Sequence, residues 1–178
     1  MININGEGEK CFGLIHRPDY QGKNMWFSYS VGQDLEKWQA HRCIAKTRPG
    51  TFWDNDRLGL STQPVEIPEE YSRGMPEGLL LFYHGVQQKA TGGALYRVAP
   101  MWFSLKDLKI THRSAQWVLG PEESYSSLGD VLGAVFPCAA WYGGNGNIIM
   151  YYGIADMSVG RVEWDLEKTI ALLRKNPV

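Results

Sequence analysis

A chain of 178 residues is long enough to bury one hydrophobic core and short for two. With 44% hydrophobic and 21% charged residues it has an ordinary globular composition, which excludes a disordered chain. The formal net charge of -1, from 18 basic and 19 acidic residues with no long like-charge run, argues against a nucleic-acid or membrane-surface partner.

Aromatic residues make up 12%, including seven Trp and nine Tyr, and there are 20 Gly. That mixture favours many short strands joined by tight turns, and it also suits sites where aromatic rings stack on sugars. In chain order, the strand-like runs are Met25 to Ser30 (MWFSYS), Gly78 to Val86 (GLLLFYHGV), Gly93 to Val98 (GALYRV), Asp130 to Cys138 (DVLGAVFPC) and Asn147 to Asp156 (NIIMYYGIAD). Turn signals separate them: Pro49-Gly50, Pro76-Glu77-Gly78 and Gly143-Gly144-Asn145-Gly146. The last of these reads as a hairpin turn, because a phosphate loop would need a following Lys and helix. The stretch Asp165 to Lys175 (DLEKTIALLRK) predicts a helix, with Leu166, Ile170 and Leu173 on one face and Asp165 as its cap.

The fold class expected is therefore all-β with a short C-terminal helix. An internal repeat refines it. MWFSYS, LLLFYHGV and IIMYYGIAD each end an apolar run in an aromatic followed by small residues, and each is followed by an Asp-Leu pair, at 34, 107 and 165. Units of several short strands repeating at this scale are what β-propeller blades look like in sequence, and a closed propeller needs about four to eight of them. Two or three such units fill this chain, so residues 1–178 are expected to form a single partial β-propeller domain that does not close alone.

Several residues invite a functional reading, each with a structural alternative. His84 ends an apolar strand at Gly85, where it either faces a central cavity or is a half-buried His bonded to backbone. Asp156 closes its strand either as a two-oxygen acceptor for sugar hydroxyls or as a turn residue. Arg17 and Arg57 either neutralise an anion or form surface ion pairs, Arg57 lying beside Asp54 and Asp56. Phe136, Trp53, Trp141 and Tyr142 are candidate stacking platforms, of which Phe136 is preferred. Glu122 and Glu123 read as a solvated turn. The three cysteines, at 11, 43 and 138, lack metal-ligand spacing and read as buried thiols; no metal or organic cofactor is implied. With no apolar leader at the N-terminus and no window of about 18 apolar residues, the expected location is cytoplasmic.

Five segments together resemble glycoside hydrolase family 130: His16-Arg17-Pro18, Asp56-Arg57-Leu58-Gly59, Tyr83-His84-Gly85-Val86, Val135-Phe136-Pro137-Cys138 and Tyr151-Tyr152-Gly153-Ile154-Ala155-Asp156. The resemblance covers roughly residues 10 to 174. It implies about three blades of a five-bladed β-propeller with a central funnel, and cleavage of β-mannosides by inorganic phosphate or by water. In the phosphorolytic scheme an acid protonates the leaving oxygen through the sugar's own hydroxyl. The resemblance assigns phosphate to Arg17 and Arg57, and the glycone to Tyr83, His84, Phe136 and Asp156. Position 57 carries Arg where the family usually has Lys, a planar fork in place of a point cation.

Two departures bear on activity. The family's acid is an Asp in an E-D-P-R-type segment, which these 178 residues lack. The family's G-x-G-x-P-P-I stretch reads here Gly59-Leu60-Ser61-Thr62-Gln63-Pro64-Val65. The expectation is a mannoside-binding, glycosidase-like protein with little or no activity alone. The alternative is a non-catalytic carbohydrate-binding or assembly module, completed by another chain or by a second copy.

Overall fold

The computed structural model describes residues 2–3, 10–18, 22–31, 35–60, 62–90, 92–121 and 129–178. It is all-β, as the composition predicts, with three antiparallel sheets stacked in chain order and a short C-terminal helix. The first sheet comprises β1 (Ile2–Asn3), β2 (Lys10–His16), β3 (Met25–Val31) and β4 (Gln39–Ala45). The second comprises β5 (Arg57–Leu60), β6 (Gly78–Gln88), β7 (Ala94–Ser104) and β8 (Lys109–Arg113). The third comprises β9 (Val135–Gly144), β10 (Asn147–Ile154) and β11 (Ser158–Asp165). One helical turn, α1 (Glu69–Ser72), precedes β6, and α2 (Leu166–Arg174) ends the fold.

Within each sheet, strands consecutive in sequence pair antiparallel, so neighbours in sequence are neighbours in space. The second sheet is covered on both faces because β6 is apolar on both. Leu79, Leu81 and Tyr83 join Met25, Phe27 and Ile44 of the first sheet in one core cluster. Leu80 and Phe82 join Val135, Ala140, Ile148 and Met150 of the third sheet in another. A continuous apolar run is what a strand buried on both faces requires.

The three Asp-Leu pairs mark equivalent places. Asp107-Leu108 follows β7 and Asp165-Leu166 follows β11, each the third strand of its sheet; Leu35 follows β3, while Asp34 lies outside the described residues. After the third sheet the chain does not add a fourth strand. Asp165 instead caps α2, its carboxylate accepting from the Lys168 amide at 2.9 Å, and Leu166, Ile170 and Leu173 are wholly buried beside the third sheet. The tail then returns to the second sheet: the Arg113 amide donates to the Asn176 carbonyl, and the Val178 amide to that of Thr111. This pairing covers the outer edge of β8, which would otherwise present unpaired backbone groups.

Two boundaries differ from the sequence reading. The strand expected at Asp130 to Cys138 begins at Val135, because Val131 to Ala134 is a turn closed by the Ala134 amide on the Val131 carbonyl, with Gly133 at φ 78°. It runs on to Gly144, and Pro137 is tolerated because β9 is an edge strand. The strand expected to reach Asp156 stops at Ile154. Ala155 and Asp156, with φ of 52° and 57°, are the central residues of the turn to β11, which is closed by the Met157 amide on the Ile154 carbonyl. Asn145-Gly146 makes the corresponding turn between β9 and β10, at φ 50° and 75°. Glu122 and Glu123 lie outside the described residues.

The cysteines correct a second expectation. Cys11 is buried and Cys43 partly so, but Cys138 is exposed on the outward face of β9; none of the three is in a disulfide. Among the described residues no helix is long and apolar enough to cross a membrane, and no group of three metal-ligating side chains comes together.

Candidate functional site

β5 and β6 pair so that Gly59 lies directly opposite His84. A side chain at 59 could not fit: a Cβ there would stand 2.5 Å from His84 Cε1 and 2.6 Å from its Nε2. The glycine therefore lets the imidazole lie across the backbone of β5. On the other side the ring meets Phe136 of β9, with centroids 4.7 Å apart, and Tyr96 at 6.0 Å. His84 is 5% exposed, whereas Phe136 is 40% exposed.

These residues wall a cleft of about 230 Å³, lined by Ile15, His16 and Arg17 from the end of β2, Met25, Gly59, Leu60, His84 and Phe136. Small-molecule sites usually enclose roughly 300–1,000 Å³, so this cleft is small for a whole one. Arg17 enters from the first sheet and donates from Nη1 to the Leu58 carbonyl at 3.1 Å, which fixes its guanidinium beside Gly59. Arg57 sits over the Tyr96 ring at 5.7 Å and 3.3 Å from Asp56 Oδ2. Lys23 also reaches Asp56, at 2.7 Å, so that carboxylate is shared. The buried Nε of Arg57 is the atom that faces Asp56, close enough for the ion pair but without a well-formed hydrogen bond.

Burial, reinforced by the charges of Arg17 and Arg57, pushes the His84 imidazole down to about 4. At neutral pH the cleft thus holds a neutral imidazole between two cations. Two guanidinium groups are thereby set beside one uncharged ring.

The structure brings together four of the six residues singled out in the sequence, namely Arg17, Arg57, His84 and Phe136: three line the cleft and Arg57 bears electrostatically on His84. It does not bring Tyr83 or Asp156 to the cleft lining. Successive residues of a strand point to opposite faces, and Tyr83, 0% exposed, faces the first sheet. Its hydroxyl donates to Asp54 Oδ2 at 2.9 Å, in a cluster where Arg48 grips the same carboxylate (Nε–Oδ1 2.9 Å, Nη2–Oδ2 2.8 Å) and Arg113 donates to Oδ2. Gly85 makes that cluster possible, since a Cβ there would stand 2.3 Å from Asp54 Cβ and 2.5 Å from the Trp53 ring. Asp156 is exposed at the tip of the β10–β11 turn.

Trp53, one of the candidate platforms, is core and stacks on Tyr83 at 5.4 Å. Trp141 is exposed on the outward face of the third sheet, stacked with Tyr151 at 5.8 Å. The reading from sequence missed His16 as a cleft residue, although it opens the quoted H-R-P segment. Within the 59–65 stretch, Leu60 lines the cleft, Gln63, which departs from the family pattern, ties the stretch to the Ala140 carbonyl at 2.7 Å, and Thr62 is buried with its hydroxyl unpaired.

Stacked antiparallel sheets with a cationic, aromatic-edged cleft at their junction define the class: an all-β protein built of repeated sheets. The chain belongs to glycoside hydrolase family 130, whose profile, described as beta-1,4-mannooligosaccharide phosphorylase, matches residues 10–175. It is 30% identical over 159 residues to a beta-1,4-mannooligosaccharide phosphorylase from Ruminococcus albus, a match covering 88% of this chain and 43% of that protein. Among solved structures, the fold is similar to that of a beta-1,2-mannobiose phosphorylase from Listeria innocua in complex with beta-1,2-mannobiose (TM-score 0.72, 23% identity, 96% of this chain and 44% of that one). A glycosyl hydrolase from Bacteroides ovatus is also similar (TM-score 0.64, 17% identity, 99% and 45%). The chain thus spans less than half the length of these relatives.

Proposed function

We propose that this chain supplies the glycone- and phosphate-holding wall of a β-mannoside phosphorylase-type site, within one partial propeller unit. The observation that carries the reading is the enclosure of His84 by Arg17, Arg57, Gly59 and Phe136. In it Arg17 and Arg57 hold inorganic phosphate. His84 hydrogen-bonds the sugar, and the exposed face of Phe136 packs against its ring. Asp156 sits on a turn at the same end of the third sheet as Phe136 and would reach a sugar hydroxyl only from the cleft's rim. Because no E-D-P-R segment occurs in the sequence, proton delivery to the leaving oxygen has no assigned residue, and the chain alone is a binding wall with little or no turnover.

The test is equilibrium binding of inorganic phosphate and of a β-mannoside to the purified chain, together with an assay for mannose 1-phosphate in phosphate buffer. Binding of both is expected, with the affinity for phosphate weakened about tenfold or more by Arg17→Ala and no product formed. Binding of neither overturns the reading, and release of mannose 1-phosphate overturns the missing-acid part of it.

A second reading, an assembly module completed by another chain or a second copy, is favoured by the faces that the first and third sheets leave uncovered. Leu14 is exposed on the first, and Phe136, Trp141, Tyr151 and Val159 on the third. A molar mass in solution tests it: a strict monomer at high concentration counts against self-association.

A further inference from the structure

On the face of the first sheet that points away from the second, three polar side chains run in a line that ends in the cleft. His16 Nε2 lies 3.2 Å from Ser28 Oγ, and the same hydroxyl lies 3.2 Å from His41 Nδ1. His41 is exposed, and its ring stacks on Trp26 with centroids 4.7 Å apart. Ser28 is buried, and His16 lines the cleft beside Arg17. With Nε2 committed to Ser28, Nδ1 of His16 makes no hydrogen bond to any described residue.

A serine hydroxyl carries one proton. If Ser28 donates to His41, it must accept from His16 Nε2–H, and His16 Nδ1 is then a bare acceptor. If Ser28 donates to His16, it must accept from His41 Nδ1–H, and His16 Nδ1 then carries the proton. The two imidazoles therefore hold opposite tautomers at their bonded nitrogens, and the outer one dictates what the inner one offers to a ligand. Doubly charging the pair is opposed, since the rings are only 5.2 Å apart and Arg17 stands beside them. Burial and His41 both lower the His16 pKa, which favours the neutral ring this scheme needs.

We propose that His16 is a ligand-binding residue of the cleft, and that His41, acting through Ser28, is the positioning residue that sets its hydrogen-bonding sense. The proposal rests on the mannoside and phosphate reading for the identity of the ligand, but not for the relay itself. It gives the cleft lining a second imidazole besides His84, suited to a sugar hydroxyl.

The relay is read by ¹⁵N-resolved NMR of the histidine rings in the full chain, without ligand, for the wild type, Ser28→Ala and His41→Ala. One dominant His16 tautomer in the wild type, becoming a mixture in both variants, is expected. A His16 tautomer unchanged in both variants overturns the relay, and because His41 is exposed, its variant keeps the test open if Ser28→Ala fails to fold. Ligand contact is read by titrating the wild type and His16→Ala with the methyl β-mannoside. An affinity about 3- to 10-fold weaker in His16→Ala is expected for one lost hydrogen bond, and equal affinities overturn the contact. Failure of the wild type to bind either mannoside or phosphate overturns the functional reading and the contact together, while the ligand-free spectra still decide the relay.

Discussion

Tyr83 and His84 are consecutive residues of one strand, yet they belong to two different structures. His84 turns toward the third sheet and the cleft, where it is a buried neutral base between two cations. Tyr83 turns toward the first sheet, where its hydroxyl completes a buried cluster of Asp54, Arg48 and Arg113. One face of β6 borders a cleft, and the other closes a buried ion cluster. The cluster ties residues 48–54 to the end of β8, with Arg48 also donating to the Ser114 carbonyl and Arg113 to that of Lys46. Those bonds hold β5 in place against β6, and β5 is the strand on which the His84 ring rests.

If the Tyr83 face is structural, its charge balance should dominate stability. Asp54→Ala leaves two arginines and a phenol without their shared acceptor, in a site where the carboxylate is fully buried. A loss of about 3–5 kcal/mol is expected from denaturant unfolding, the scale for breaking a buried ion pair from one side. A loss under about 1 kcal/mol would mean that water substitutes for the carboxylate and the face is not dry.

The His84 face should show itself in pH dependence. Its folded pKa of about 4 lies below the ordinary 6.5, so the unfolded chain takes up the proton first as pH falls. Stability is therefore full above about pH 6.5, is lost as pH falls toward 4, and levels off below, by roughly 3 kcal/mol in all. His16 and His112, also lowered by burial, add in the same direction. Unfolding free energies measured from pH 7 to 4 should show a shallower decline in His84→Asn than in the wild type. An equal decline would show that the imidazole is hydrated and charged in the fold.

Smaller in stability but sharper for the site is Gly59→Ala. The new methyl would occupy the space of the His84 ring, and overpacking of this kind costs about 1–3 kcal/mol. Phosphate and mannoside affinity should fall with it as the ring is displaced. Retained affinity in a folded Gly59→Ala protein would show that the ring's seat on β5 is not what aligns it.

Much of this was legible in the sequence, for reasons visible in particular residues. Apolar strands such as Met25–Val31 and Gly78–Gln88 announce themselves because both faces are buried, and the helix because Leu166, Ile170 and Leu173 share one face. The strands Lys109–Arg113 (KITHR) and Ser158–Asp165 (SVGRVEWD) did not, because they are short or half-exposed and carry few apolar residues. At the cleft, H-R-P and Y-H-G-V both contribute lining residues. A motif lists neighbours, however, while a strand separates them, so Tyr83 and His84 read as one wall. The period of two carried that distinction. The Asp54 cluster gave no comparable signal, since positions 48, 54, 83 and 113 meet only through sheet pairing.

The finest test of the comparison is Tyr83→Phe, which keeps the ring's volume and removes one oxygen. That oxygen donates to Asp54 and accepts from Arg113 Nε at 3.2 Å, and burial, together with Asp54, raises the phenol's pKa well beyond its usual range, so it is a neutral donor at any working pH. With no cavity created, the expected cost is that of one hydrogen bond to charged partners, about 1.5–3 kcal/mol, toward the lower end because Arg48 and Arg113 still hold Asp54. Stability should drop by that amount while phosphate and mannoside affinities match the wild type. The reverse pattern, unchanged stability with weakened sugar binding, would return Tyr83 to the cleft wall. It would also mean that β6 rotates when ligand binds, because no strand can present adjacent side chains to one face without breaking its alternation.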